Sequence, residues 1–213
     1  MVGNFMLFQE LLEKTKHIPS SVYEPEQEMW LKYLAPIEGN PLLVDFGTGW
    51  GKSAVSLALT CPQAEVVTFD PGDVYCLQRN VENHEAYLEK VRGYIETAGV
   101  TNIRHLLGNS TTIDQPAVTG GREIDILNID SDHTYETTTK EIKRWVPLVK
   151  LGGIVMFHDY EHPNAPGVGI AIKELVSFKD GANDFTDDAK PFKLRFIEKA
   201  VHPKVTTVLF IKE

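Results

Sequence analysis

Five short segments of this chain are apolar on successive residues rather than on alternate ones: "PLLVDF" (41–46), "AEVVTFD" (64–70), "NIRHLL" (102–107), "IDILNID" (124–130) and "GGIVMFHD" (152–159). A strand with one face in water alternates polar and apolar residues. A strand that is apolar throughout is buried on both faces, as in a parallel sheet covered by helices. Helical patterns lie between these runs. In 82–98, Leu88, Val91, Tyr94/Ile95 and Ala98 recur at steps of three and four and Gly99 supplies a stop; in 134–149, Ile142, Trp145/Val146 and Val149 do the same before Gly152-Gly153. Residues 51–60 are rich in Ala and Leu, and a further helix is expected near 168–177. The alternation predicts an α/β fold, Rossmann-like and doubly wound, with a mostly parallel seven-stranded sheet. The last two strands, "FKLRFIEKA" and "KVTTVLFIKE", have only "VHP" between them, which predicts a C-terminal antiparallel hairpin. The polar stretch 179–191 reads as a loop. At the other end, one amphipathic helix runs through Phe5, Phe8 and Leu12. A second carries Met29, Trp30, Tyr33 and Leu34 and stops at Pro36. Residues 1–36 are therefore expected to form a helical cap within a single domain, 1–213.

The sharpest local signal is "LLVDFGTGWGKSA" (42–54), where glycines follow the first strand. Gly51-Lys52-Ser53 ends like a phosphate-binding loop, but that loop would need its first glycine at Phe46. A dinucleotide turn, G-x-G-x-x-G, would need a glycine at Lys52. What stands here is D-x-G-x-G-x-G, Asp45 to Gly51. Glycines at such a turn let the main chain approach a ligand with no Cβ in the way. The helix start that follows leaves N–H groups free for a carboxylate. The second strand ends at Asp70, an acid placed to accept hydrogen bonds from ribose hydroxyls, although NAD proteins share that device.

The Asp45–Gly51 pattern resembles motif I of class I S-adenosylmethionine-dependent methyltransferases. The stretch 124–160 strengthens the likeness. It is similar to strands four and five of a small-molecule O-methyltransferase group with an Ile-Asp-x-Asp-His motif after strand four, here Ile129-Asp130-Ser131-Asp132-His133. The resemblance runs from about residue 40 to 160. It implies that S-adenosylmethionine contacts Asp45, Gly47, Thr48, Gly49, Gly51 and Ser53, then Asp70, then Asn109 and Ser110 of the loop "GNSTTI" (108–113), and Asp130; Asp45 is placed to meet either the turn itself or the ligand's ammonium. That loop often reads Gly-Asp-Ser in the group; Asn109 replaces the acid here and is also ordinary helix-capping chemistry. Ser131 stands where the group usually has Gly. Asn128 sits where an apolar residue is common and so requires a buried hydrogen-bond partner.

Asp45, Asp70, Asp130, Asp132, His133, His158 and Asp159 all fall at carboxyl ends of strands, where open α/β sheets bind ligands. Methyl transfer to a hydroxyl needs one proton removed. His133, with an unperturbed pKa near neutrality, is the candidate general base, its alternative role being at the start of helix 134–149. Asp132 reads equally as a helix N-cap. Some relatives hold a divalent ion at strand ends four and five. Asp130 and Asp159 match two such positions and His158 takes the third, so the resemblance implies Mg²⁺ or, with a histidine ligand, Mn²⁺ or Fe²⁺; the alternative is that Asp130 and Asp159 contact ligand and backbone with no metal. The expected acceptor is a small hydroxylated molecule, with N-methylation left open. Two other readings also remain open from the residues: a non-catalytic cofactor- or nucleotide-binding module, and an NAD-dependent oxidoreductase.

Composition limits the partners. The net charge is −9, and no Lys/Arg cluster suits a nucleic-acid duplex or an anionic membrane. No run approaches the length of a membrane span. The start lacks a basic segment followed by a long apolar core, so no secretory leader is expected. The two cysteines, Cys61 and Cys76, form no CxxC pair, which points to buried thiols in a cytoplasmic setting. Nothing in the sequence specifies or forbids a homo-oligomer.

Overall fold

The computed structural model describes residues 8–181 and 183–213. Phe5, expected on the first helix, lies outside the described residues. The chain runs α1 (Phe8–Thr15), α2 (Glu24–Leu34), β1 (Leu42–Phe46), α3 (Lys52–Thr60), β2 (Glu65–Asp70), α4 (Asp73–Gln78), α5 (His84–Ala98), β3 (Ile103–Leu107), α6 (Gln115–Thr119), β4 (Ile124–Ile129), α7 (Tyr135–Trp145), β5 (Val149–Phe157), α8 (Pro166–Leu175), β6 (Val176–Ser177), β7 (Lys179–Asp180), β8 (Asn183–Asp184), β9 (Phe192–His202) and β10 (Val205–Lys212).

The main sheet has the order β3-β2-β1-β4-β5-β10-β9-β6. β1 to β5 pair in parallel, and β10 is antiparallel to both β5 and β9. This is the expected α/β Rossmann-like architecture with its C-terminal hairpin. The seven expected strands are joined by an eighth, β6, whose two residues pair in parallel with β9. The chain leaves β1 in one direction, through β2 and β3, and returns on its other side with β4. The crevice beyond β1 and β4 is thus the switch point where such sheets hold ligands.

β1 is buried throughout because its side chains alternate between two cores. Leu42, Val44 and Phe46 join Ile142, Trp145 and Ile172 on one face. Leu43 joins Met29, Trp30 and Leu57 on the other. Every residue of α3 after Lys52 is buried, so the glycine turn is fixed to the sheet by the helix that follows it. The N-terminal helices cover the second face, α2 packing on α3 and β9.

Several boundaries differ from the sequence reading. α7 ends at Trp145, and Val146–Leu148 forms a 3₁₀ turn around Pro147, which has no N–H to continue the helix. β5 begins at Val149 and ends at Phe157, so His158 and Asp159 lie in the turn beyond it. The stretch 179–191 contains the small β7–β8 ladder. α4 and α6 are too short to show a helical period. Cys61 is buried, as expected; Cys76 is only partly so. No helix among the described residues is long and apolar enough to cross a membrane.

Candidate active site

A cleft of about 590 Å³ opens at the carboxyl ends of β1, β2, β3 and β4. One wall is the turn after β1. Gly47 has φ +76°, and a Cβ there would lie 1.8 Å from the carbonyl oxygen of Asp130, so only glycine lets the two turns meet. Gly51, at φ +93°, starts α3. Gly47, Thr48, Gly49 and Ser53 line the cleft.

Asp45 does not face the cleft. It is fully buried beneath the turn and accepts hydrogen bonds from Ser53 Oγ (3.0 Å), Thr68 Oγ1 (2.8 Å) and Asn128 Nδ2 (2.8 Å). Asn128 thereby has the partner it requires. Burial lifts the Asp45 carboxyl to about 7, against the pull of its three donors. Its place is under the turn, joining β1, β2, β4 and α3, rather than against a ligand.

Asp70 stands at the cleft where β2 ends. Its Oδ2 accepts the Gly49 N–H (3.3 Å) and its Oδ1 the Gly72 N–H (2.7 Å). Burial raises its carboxyl above the usual range, with those two N–H groups opposing. Gly49 is held from its other side as well, its carbonyl accepting the Tyr87 hydroxyl at 2.8 Å. Trp50 and Tyr75 meet edge to face, 4.6 Å between centroids, and form an aromatic part of the wall.

The loop after β3 supplies Asn109 and Ser110 to the cleft. Asn109 Oδ1 accepts from the Thr111 N–H (2.9 Å) and hydroxyl (2.7 Å). Ser110 donates to Glu141 Oε1, which Ser131 also reaches. Glu141 is a buried carboxylate on α7 that ties the loops after β3 and β4 together. Burial lifts it to about 7 while the two hydroxyls oppose.

The facing wall carries the acid–histidine group. Asp130, Ser131, Asp132 and His133 all line the cleft. Asp130 Oδ1 lies 3.0 Å from His133 Nε2, a hydrogen bond, and 3.0 Å from His158 Nδ1. Asp159 Oδ2 lies 3.4 Å from both of those nitrogens. Asp159 adopts a left-handed backbone, φ +58°. His158 is 3% exposed and stands behind Asp130, off the cleft wall. Burial favours the neutral form of Asp130, yet the two histidines win and hold its carboxyl far below the usual range. Burial likewise pulls His133 down, but the hydrogen bond and charge of Asp130 raise it. His158 behaves the same way, more strongly.

Asp132 is exposed and accepts from Thr137 Oγ1 (3.0 Å); the N-cap of α7 is Thr134, whose hydroxyl accepts the Thr137 N–H. The sequence-named groups thus divide. Gly47, Thr48, Gly49, Ser53, Asp70, Asn109, Ser110, Asp130 and His133 share one cleft, while Gly51 is buried at the start of α3 and does not line it. Asp45, His158 and Asp159 support it from behind.

Three further groups escaped the sequence reading. Glu141 and Tyr87 sit on helices in ordinary polar and aromatic positions. Glu26, fully buried on α2, has its Oε1 3.4 Å from His158 Nε2; its place in the first turn of a helix reads as capping chemistry.

Comparison with known proteins agrees with this fold. A family model described as "Methyltransferase domain" matches residues 44–160, more than half of the chain. The fold is similar to that of an O-methyltransferase from Bacillus cereus in complex with SAH, at TM-score 0.64 and 15% identity, covering 96% of this chain and 90% of that one. It is also similar to cofactor-bound Rv0187 from MTB, at TM-score 0.62 and 18% identity over 100% and 93% of the two chains. An rRNA methylase from Streptococcus thermophilus shares it at TM-score 0.57 and 14% identity over 91% and 99%. A search of curated proteins gave no match.

Proposed function

The chain belongs to the methyltransferase-domain family, and from that premise we propose that it transfers the methyl group of S-adenosylmethionine to a hydroxyl oxygen of a small molecule. The observation that carries the reading is the pairing of two groups in one cleft: the Gly47–Trp50 turn with Asp70, and Asp130–His133. The first group suits an adenosylated amino acid. Free N–H groups at the start of α3 would meet its carboxylate, and Asp70 would accept from the ribose. The second group suits the proton that must leave. Asp130 holds His133 by Nε2, which turns Nδ1 into the free acceptor. The acceptor oxygen attacks the methyl carbon in line with the departing sulfur. Its proton passes to His133 Nδ1, and the products are the methylated acceptor and S-adenosylhomocysteine.

The residues behind Asp130 fit a divalent cation. One ligand atom each from Asp130, His133, His158 and Asp159 lies within 4.8 Å of the others. Their 3.0 and 3.4 Å spacings are those of ligands sharing an ion at about 2.1 Å from each. The nitrogens of His158 are buried and face only carboxylates, Nδ1 at 3.0 and 3.4 Å and Nε2 at 3.4 Å, with neither drawn into hydrogen-bond geometry among the described residues. Asp130, His158 and Asp159 would hold the ion, and the mixed nitrogen and oxygen set suits Mn²⁺ better than Mg²⁺. When bound, such an ion lowers the pKa of an acceptor hydroxyl and orients it.

Calorimetric titration with S-adenosylhomocysteine tests the cofactor. Saturable binding below about 1 mM supports the reading, and its absence removes it. Labelled methyl transfer to separate panels of hydroxylated small molecules, amines and ribosomal RNA then tests the acceptor. Labelling confined to amines or RNA would overturn the hydroxyl assignment.

A further inference from the structure

Glu26 is a carboxylate with no exposed surface, in a helix that also buries Met29, Trp30 and Leu34 and the amide of Gln27. Burying such a group costs several kcal/mol unless partners compensate. Its partners come from three directions. Oε2 accepts the Tyr23 N–H (3.0 Å), closing the start of α2. Oε1 accepts the Thr207 hydroxyl from β10 (2.5 Å). The same Oε1 faces His158 Nε2 at 3.4 Å. On the opposite edge of that imidazole, Nδ1 faces Asp130 at 3.0 Å and Asp159 at 3.4 Å. His158 is therefore suspended between a carboxylate of the N-terminal helical layer and two carboxylates at the strand ends.

We propose that Glu26 is a positioning residue for His158: it takes the Nε2–H and so presents Nδ1 as the ligand nitrogen beside Asp130 and Asp159. The inference rests on the cation reading above. Ligating histidines commonly give their second ring N–H to a carboxylate, which fixes tautomer and ring orientation. Here that carboxylate comes from the opposite end of the chain, so the docking of α2 and the affinity of the ion site are coupled.

The test exploits Glu26→Gln. Gln at the third position of a helix serves the same capping box and has nearly the same volume, so α2 keeps its start and its fit. With its amide oxygen kept on the Tyr23 N–H, Gln turns an NH₂ donor in place of a carboxylate oxygen toward Thr207 and His158, so the acceptor for the Nε2–H is lost together with the charge. Mn²⁺ affinity is read by the electron paramagnetic resonance of the free ion, and ligand geometry by the visible absorption of the Co²⁺-loaded protein. The expected result is Mn²⁺ binding weakened about 10- to 100-fold with a shifted Co²⁺ band, at a melting temperature close to wild type. Should Glu26→Gln not fold, Glu26→Asp, which withdraws the carboxylate by one methylene, carries the same expectation. Wild-type binding with either variant unchanged overturns the role of Glu26 and leaves the cation reading standing. Absence of Mn²⁺ binding by the wild type overturns both.

Discussion

A β-carbon at position 47 would lie 1.8 Å from the carbonyl oxygen of Asp130. The turn after β1 and the turn after β4 therefore touch main chain to main chain, and residues of both line the cleft. The contact also yields a controlled experiment. Gly121 shares the φ of Gly47, +76°, but a β-carbon there meets nothing within 4 Å. Gly121→Ala should show the backbone strain alone, about 1–2 kcal/mol in urea unfolding. Gly47→Ala should exceed that and also weaken S-adenosylhomocysteine binding at least tenfold. Equal losses for the two variants, with binding intact, would mean the turns separate freely.

Tyr87 reaches from α5 to the carbonyl of Gly49. Its hydroxyl braces the middle of the glycine turn while its ring packs in the α1–α3–α5 core. Tyr87→Phe keeps the ring and removes the brace. A lost hydrogen bond of about 1 kcal/mol predicts roughly a fivefold weaker S-adenosylhomocysteine affinity with kcat unchanged. Unaltered affinity by calorimetry would show that the turn holds its shape without Tyr87.

His133→Ala should lower kcat about 10²- to 10⁴-fold and leave S-adenosylhomocysteine affinity within a few fold. Asp130→Asn should reproduce much of that loss, because Asp130 orients the ring through Nε2. If affinity falls while kcat persists, His133 belongs to the cofactor wall instead.

How far the sequence was legible follows from how local each signal was. The turn 45–51 announces itself because its glycines, its acid and its flanking strand are contiguous. Asp130 and His133 were legible for the same reason, lying together at one strand end. For Asp45 the sequence leaves two roles open, bracing the turn or meeting the ligand's ammonium, and only the fold decides between them, with three donors converging on it from β2, β4 and α3. Glu26 was hidden more deeply. Its capping bond is local, but Thr207 and His158 come from distant parts of the chain, and no spacing encodes that meeting. The eighth strand escaped because two residues carry no period.

Glu141 offers a test in which pH and structure separate cleanly. It is 1% exposed and its Oε1 receives the hydroxyls of Ser110 and Ser131, so it joins the two loops that flank the cleft. Its carboxyl sits near 4.5 in the unfolded chain and is lifted to about 7 in the fold, chiefly by burial. Between those values the folded protein keeps a proton that the unfolded chain has released. The stability this provides is complete below about 4.5 and is lost as pH rises through about 7. At about 1.4 kcal/mol per unit, the swing is on the order of 3 kcal/mol. Glu141→Gln keeps an acceptor for both serines and has no charge to bury. Other buried carboxylates, Asp45 among them, titrate in both proteins and cancel in the difference. Urea unfolding of wild type and variant should therefore show the balance moving toward Glu141→Gln between about pH 5 and about pH 8, by on the order of 2–3 kcal/mol. A difference independent of pH would mean that Glu141 is ionised throughout, and that the two serines, with water, hold a buried charge rather than a buried acid.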